Sequence, residues 1–342
     1  MIAEDILDKI NREIALYRDN DLFFLSEKNQ TSIWKEKIAG TDLIRADASV
    51  DPQVLENFRS RLNFVADDPG AFFYNSKTPP QEREAHARKF NHLLRALRES
   101  GAYQWLLKYP VPMVGNPLVL HATDDGKKTA FTHRWLKHLA SLAMFDKHLS
   151  ARLADGFTTV DIGASYGVFQ YLLHNERPDS HQVLVDFSEQ LITARYFLQS
   201  CFPHANIAGV EEIAGLDVID RDFISRYDFV LLPTKWYSRL AAGSIDLATS
   251  FACLGEIKRE IFTAYTEHPA FRDAKFYYLV NPLAPRAGSE INGETDITLL
   301  DYKCISRENM IHFGNAALHV YTYGPRVLLI QPFFEYIGVG DN

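Results

Sequence analysis

Apolar positions change their period along this chain, and the change divides it in two. Near the N-terminus, Ile6, Ile10, Ile14 and Tyr17 recur at helical spacing, which predicts an amphipathic helix. Phe90, Leu93, Leu94 and Leu97 repeat that spacing in a charged segment after Pro79-Pro80. The aromatic run Phe72-Phe73-Tyr74 between them reads as local core or as a substrate wall. Pro110 to Pro117 breaks the pattern, and Val119-Leu120 with the turn formers Asp124-Asp125-Gly126 predicts a small hairpin. Thr132 is placed to cap a helix from His133 to about Leu149, with Trp135, Leu139 and Leu142 on its core face. Residues 1–130 are thus read as a mostly helical N-terminal region.

From Phe157 onward short apolar runs alternate with helical segments. Strands are expected up to Ile162, over His181–Phe187, Asp228–Leu232, Ser244–Phe251 and Lys275–Val280, with a final strand at Arg326–Gln331. Residues 284–315 are rich in turn formers and read as a loop over the site. Alternating strands and helices predict an α/β fold, a parallel or mostly parallel sheet with helices on both faces, spanning residues 131–342.

The chemistry concentrates at the first strand-to-helix turn, Asp161-Ile162-Gly163-Ala164-Ser165-Tyr166-Gly167. Its glycines allow tight turning and close approach of a ligand, and the helix start offers N–H groups. The next strand ends in Asp186, about 20 residues on, where a carboxylate can accept from ribose hydroxyls. A dinucleotide fingerprint needs G-x-G-x-x-G, and here Ser165 and Val168 stand at the second and third glycine positions. Asp161 would repel a pyrophosphate and attract a cationic ligand carrying an amino group and a sulfonium. S-adenosylmethionine is such a ligand.

The stretch from about 155 to 282 resembles class I S-adenosylmethionine-dependent methyltransferases. More narrowly, it is similar to the sugar O-methyltransferase family of bacterial polysaccharide gene clusters. The residues that carry the resemblance are Asp161-Ile162-Gly163 with Tyr166-Gly167, Val185-Asp186-Phe187 and Tyr196-Phe197-Leu198. Leu231-Leu232-Pro233, Ser244–Leu247 through Leu254-Gly255-Glu256, and upstream Val114–Pro117 add to it. The loop departs from the family in having Ala164-Ser165 where glycines are common and Asp161 where Glu is common. The resemblance implies a Rossmann-like class I methyltransferase sheet, S-adenosylmethionine as cofactor, and a sugar hydroxyl in a nucleotide sugar or glycan as acceptor. Another small hydroxylated metabolite, or a protein that binds the cofactor without catalysis, are the alternatives.

Open α/β sheets bind ligands at the carboxyl ends of their strands. Asp161, Gly163, Ser165 and Gly167 are therefore expected around the amino-acid end of the cofactor. Asp186 is expected at the ribose, with Phe187 against the adenine or sugar, Thr234 near the adenine and Phe251 near the sulfonium. Methyl transfer needs alignment and exclusion of water, and a sugar hydroxyl benefits from a general base. Glu256, just past the fourth strand, and His133 are the first candidates, followed by His268, His121 and Glu290. No compact His/Asp/Glu cluster demands a metal, and Asp246 reads as structural. Residues 1–130 are expected to shape the acceptor site and contribute little to cofactor contacts.

Composition narrows the partners. The 342 residues are 46% apolar with a net charge of −8, and mean hydropathy is −0.18. This fits a globular protein with a core and argues against a nucleic-acid backbone as main partner. Three separated cysteines without metal spacing fit a reducing cytoplasm. No run is long enough to insert in a membrane. A small-molecule or glycan substrate is expected, and homo-oligomerisation stays open.

Overall fold

The computed structural model describes residues 2–23, 38, 41–62, 98, 103–124, 127–282, 290, 291, 296, 302–309 and 333–340. Helix α1 (Glu4–Asp19) buries Ile10, Ile14 and Tyr17 completely, the face its spacing predicts. Short helices α2 (Pro52–Glu56), α3 (Phe58–Arg61) and α4 (Tyr103–Lys108) follow. The expected hairpin is β1 (Leu120–Asp124) antiparallel to β2 (Lys127–Phe131). Thr132 then caps α5 (His133–His148), its Oγ1 accepting the Trp135 N–H at 3.1 Å. Trp135, Leu139 and Leu142 are fully buried.

The main sheet begins with β3 (Thr158–Ile162), α6 (Val168–Glu176), β4 (His181–Asp186) and α7 (Ser188–Cys201). The short strand β5 (Ile207–Ala208), α8 (Val210–Ile213), α9 (Arg221–Ile224) and β6 (Phe229–Pro233) come next. The chain continues through β7 (Leu247–Phe251), α10 (Arg259–Thr266), α11 (Pro269–Arg272), β8 (Phe276–Pro282), β9 (Tyr302–Asn309) and β10 (Phe333–Gly340). The strand order is β5-β6-β4-β3-β7-β8-β10-β9. Strands β5, β6, β4, β3, β7 and β8 pair in parallel, whereas β10 is antiparallel to β8 and to β9. Phe229, Val230, Leu231 and Leu232 of β6 are all fully buried, as expected of a strand covered on both faces.

From β3 the chain moves one way to β4 and β6, then returns to the far side of β3 for β7 and β8. Right-handed crossovers therefore put α6 and α7 on one face and α10 and α11 on the other. The result is a Rossmann-like α/β sheet, preceded by a helical N-terminal region.

One reading needs adjustment. The segment 302–309, expected within a loop, is strand β9. It is polar because it sits at the sheet edge with β10 as its partner, where a continuous apolar run is not required. The expected final strand at 326–331 lies outside the described residues, and the last described strand is 333–340. The aromatic run 72–74 and the periodic segment 90–97 also lie outside the described residues.

Asp246, read as structural, ties three strand starts together. Its carboxylate accepts from the Thr158 N–H at 3.0 Å and pairs with Arg221 at 2.6 Å and Lys275 at 2.9 Å. Although burial opposes its charge, these donors hold the carboxyl well below the usual range.

Helix α1 is fastened to the sheet domain by an ion pair that is fully desolvated. Arg195 of α7 donates from Nη2 to Glu13 Oε1 at 2.5 Å and from Nε to Oε2 at 3.2 Å. Its Nη1 donates to the Ile207 carbonyl at 2.9 Å, so the guanidinium also reads the edge strand. Glu13 is 0% and Arg195 2% exposed. Burial pushes the Glu13 carboxyl upward against the pull of Arg195. At the rim, Lys9 and Arg12 pair with Glu211. Removing one partner of such a pair leaves an uncompensated buried charge. Arg195→Met should therefore cost about 3–5 kcal/mol, read by urea unfolding, and Glu13→Gln on top of it should recover part of that loss. Additive losses in the double variant would refute the pair as the fastening.

Candidate functional site

The direction of the chain reverses between β3 and β7. At such a switch point an open α/β sheet leaves a crevice beyond its carboxyl ends. The loop after β3 and the turn after β7 meet there. Gly163 (φ 80°), Ser165 (φ 53°) and Gly167 (φ 85°) are all left-handed. Opposite, Ala252 is also left-handed, at φ 66°. Non-glycine residues rarely hold this conformation, and such strain concentrates at sites.

Gly163 is also required by a contact within the protein. A Cβ added there would overlap Cys253, lying 2.6 Å from its Sγ. The glycine therefore lets the β3 loop close onto the β7 turn. Burial pushes the Cys253 thiol well up, and the charges of Asp186, Glu256 and Asp161 add to the effect. This cysteine is a packing group, not a thiolate.

Asp186, at the end of β4, locks the loop. Its Oδ2 accepts from the Ser165 N–H at 2.6 Å, and its Oδ1 from the Phe187 N–H at 2.7 Å. It is 6% exposed. Burial raises its pKa to about 7 despite these bonds, with Asp161 adding repulsion and Arg134 opposing it.

Asp161 was expected at a cationic ligand, and its side chain is turned inward instead. Gln170 Nε2 donates to Oδ2 at 2.6 Å and Thr249 Oγ1 donates to Oδ1 at 2.8 Å. With 2% exposure its pKa rises to about 6 through burial. The carboxylate braces α6 and β7 beneath the loop. The loop N–H groups are also largely committed. Gly163 and Ala164 donate to the Val185 carbonyl, Ser165 to Asp186 and Gly167 to the Ala164 carbonyl.

Of the remaining expected residues, Phe187 is half-buried and immediately precedes α7. Thr234 opens the helical turn after β6. Trp236 in that turn is buried beneath the Arg239 guanidinium, 3.9 Å above its ring. Phe251 ends β7 and packs at 4.5 Å centroid distance on Phe169. Glu256 lies on the turn after β7, close enough for its charge to act on Cys253.

His133 is the first residue of α5, and its side chain lies outside the described residues, as does that of His121 in β1. His268 is committed to structure. Its Nδ1 accepts from the Ala270 N–H and caps α11. Glu290 Oε2 accepts from the Arg259 N–H at 3.1 Å.

Three groups at this face were not anticipated. Arg134 of α5 donates from Nη1 to Ser165 Oγ at 2.9 Å. His138, one turn along, meets the Phe251 ring edge-on at 5.3 Å. Its Nδ1 is buried without a partner, and burial with the nearby Arg134 and Lys137 charges lowers its pKa to about 3. Finally, the turn after α1 reaches the carboxyl ends of β4 and β6. Ser188 Oγ donates to the Leu22 carbonyl at 2.8 Å, and Lys235 Nζ pairs with Asp21 at 3.3 Å. The N-terminal region thus adjoins the positions expected to hold the nucleoside. The i, i+4 spacing of Arg134 and His138 puts them on one helix face, but nothing in the sequence marks that face as facing the loop.

Among the described residues no cluster of His, Cys, Asp and Glu could hold a metal, and no helix is long and apolar enough to cross a membrane.

No family model matches the chain, and no curated protein matches it in sequence. Among solved structures, it is similar to phosphoethanolamine N-methyltransferase 2 of Haemonchus contortus with S-adenosyl-L-methionine. That match has 14% identity and a TM-score of 0.41, covering 74% of this chain and 60% of that one. It is similar to geranyl diphosphate methyltransferase with the same cofactor at 9% identity and a TM-score of 0.41, covering 61% and 89%. It is also similar to magnesium protoporphyrin IX methyltransferase of Synechocystis PCC 6803 at 12% identity and a TM-score of 0.38, covering 60% and 80%. These likenesses are distant, and the chain spans only 60% of the length of the first.

The closure of the loop onto Cys253 makes a stability prediction. Gly163→Ala should destabilise by about 1–3 kcal/mol, because it strains a positive φ and overlaps Cys253. Cys253→Gly in that background should restore part of the loss by removing the overlap but not the backbone strain. Thermal unfolding reads both, and an unaffected Gly163→Ala protein would contradict the contact.

Proposed function

We propose that this chain is an S-adenosylmethionine-dependent O-methyltransferase acting on a sugar hydroxyl, in a nucleotide sugar or a glycan. The observation that carries the nucleoside part is Asp186. It stands at the end of β4 beside the switch point, bonded to the loop residue Ser165. Each of its oxygens accepts one backbone N–H and retains further acceptor capacity, which suits the hydroxyl pair of a ribose.

The donor set fits an S-adenosyl ligand better than a dinucleotide. Asp186 stands at the crevice with Asp161 buried beneath the loop, and neither offers the donors that a pyrophosphate needs. Phe187 and Thr234 flank the next positions along the strand ends and suit an adenine. Bound S-adenosylmethionine supplies a methyl group on a sulfonium for in-line transfer to an acceptor oxygen.

The chain's own part is alignment, water exclusion and proton removal. Gly163, Ser165 and Gly167 shape the loop under the amino-acid half, and Asp161 sets that loop from below through Gln170 and Thr249. Phe251 supplies an apolar wall near the acceptor. Glu256, on the same turn as Cys253, and His133, at the start of α5, are the candidate bases. Residues 1–130 contribute to the acceptor side as one functional unit, and residues 131–342 form the cofactor unit. The sugar assignment is supported by the sequence resemblance around Tyr166, Tyr196 and Leu231–Pro233.

Asp186→Ala should weaken S-adenosylhomocysteine binding by about 1.5–3 kcal/mol in calorimetry. Labelled S-adenosylmethionine with a panel of nucleotide sugars and glycans should show transfer of label. Replacing the true base, by Glu256→Gln or His133→Ala, should lower kcat roughly 10²–10⁴-fold with cofactor affinity nearly intact. Transfer only to non-sugar hydroxyls would reassign the acceptor. Binding without transfer to any acceptor would favour a non-catalytic protein.

A further inference from the structure

We propose that Arg134 is the seat for the carboxylate of the ligand's amino-acid half, a deepening that rests on the S-adenosyl reading above. Three observations lead there. First, Arg134 is half-buried at the loop, with Nη1 on Ser165 Oγ at 2.9 Å and its guanidinium 5.7 Å from the Tyr166 ring centroid. Second, among the described residues it forms no ion pair, although two buried carboxylates stand nearby. Asp186 is bonded to the Ser165 and Phe187 N–H groups, and Asp161 to Gln170 and Thr249. A guanidinium carries five donors in a fork that matches a carboxylate, and the Ser165 bond accounts for one. Third, the loop N–H groups of Gly163, Ala164, Ser165 and Gly167 are spent inside the protein. An anion at this end of the crevice therefore finds its donor in Arg134, not in that backbone.

The arrangement sorts the ligand's charges. Asp186 faces the hydroxyl-bearing end of the crevice, and Arg134 lies across Ser165 from it. A ligand with hydroxyls at one end and a carboxylate at the other satisfies both. One lacking the carboxylate leaves the guanidinium without its counter-ion.

The test compares two ligands on one protein by calorimetry. S-adenosylhomocysteine carries the amino-acid half. 5′-Methylthioadenosine keeps the nucleoside and the thioether sulfur but lacks the carboxylate. Arg134→Met should bind S-adenosylhomocysteine about 10–100-fold more weakly than wild type while binding 5′-methylthioadenosine equally well. Arg134→Lys, which keeps the charge but not the fork, should fall between. Unchanged methylthioadenosine binding also shows that the variant is folded. Equal losses for both ligands would make Arg134 a support of the loop and overturn the proposal alone, as would no loss for either. A wild-type protein that binds neither compound would overturn the S-adenosyl reading with it.

Discussion

The bond from the Ser165 N–H to the Asp186 carboxylate is the constraint on which the site depends. It joins the loop after β3 to the end of β4, holds Ser165 in a left-handed conformation, and fixes where Gly163 closes onto Cys253. The cost is a carboxylate at 6% exposure, with a pKa raised to about 7. Two backbone donors and the Arg134 charge offset part of that cost. Hydroxyl donors from a ligand would offset more, so the protein alone is less favourably arranged than the protein with such a ligand. That is a physical reason to look for binding at this point of the sheet.

Around this bond the rest of the molecule acts as scaffold. Asp161 braces the loop from beneath through α6 and β7, and Asp246 ties the far ends of the same strands. The Glu13–Arg195 pair fastens α1, so that the turn after it lies against the residues following β4 and β6. The N-terminal region is therefore in contact with the carboxyl face of the sheet as well as its flank. A fold of this kind hosts many reactions, and the functional reading rests on these particular groups.

What was legible in the sequence was local. The D-x-G-x-x-x-G turn, the strand ending in Asp186, the Thr132 cap and the β1–β2 hairpin each depend on residues close in sequence, where spacing alone specifies the geometry. What was not legible depends on distance along the chain. Glu13 and Arg195 are 182 residues apart, and nothing in either segment marks its partner. The inward turn of Asp161 required knowing that Thr249 of β7 pairs beside β3. The closure of Gly163 onto Cys253 likewise joins residues far apart along the chain. Arg134 escaped notice because a single arginine in a helix start looks like any solvated charge until the loop folds beneath it.

The central claim is that Asp186, whose carboxyl burial pushes up to about 7, ionises to receive a ribose. Its pKa is raised in the free protein, and hydroxyl donors stabilise the charged form, so binding must lower that pKa and expel a proton. Calorimetry of S-adenosylhomocysteine binding at pH 6.5, repeated in buffers of different ionisation enthalpy, counts that proton. Net proton release is the predicted result, falling toward zero in Asp186→Asn. Binding with no net proton release, or with uptake, would contradict the account.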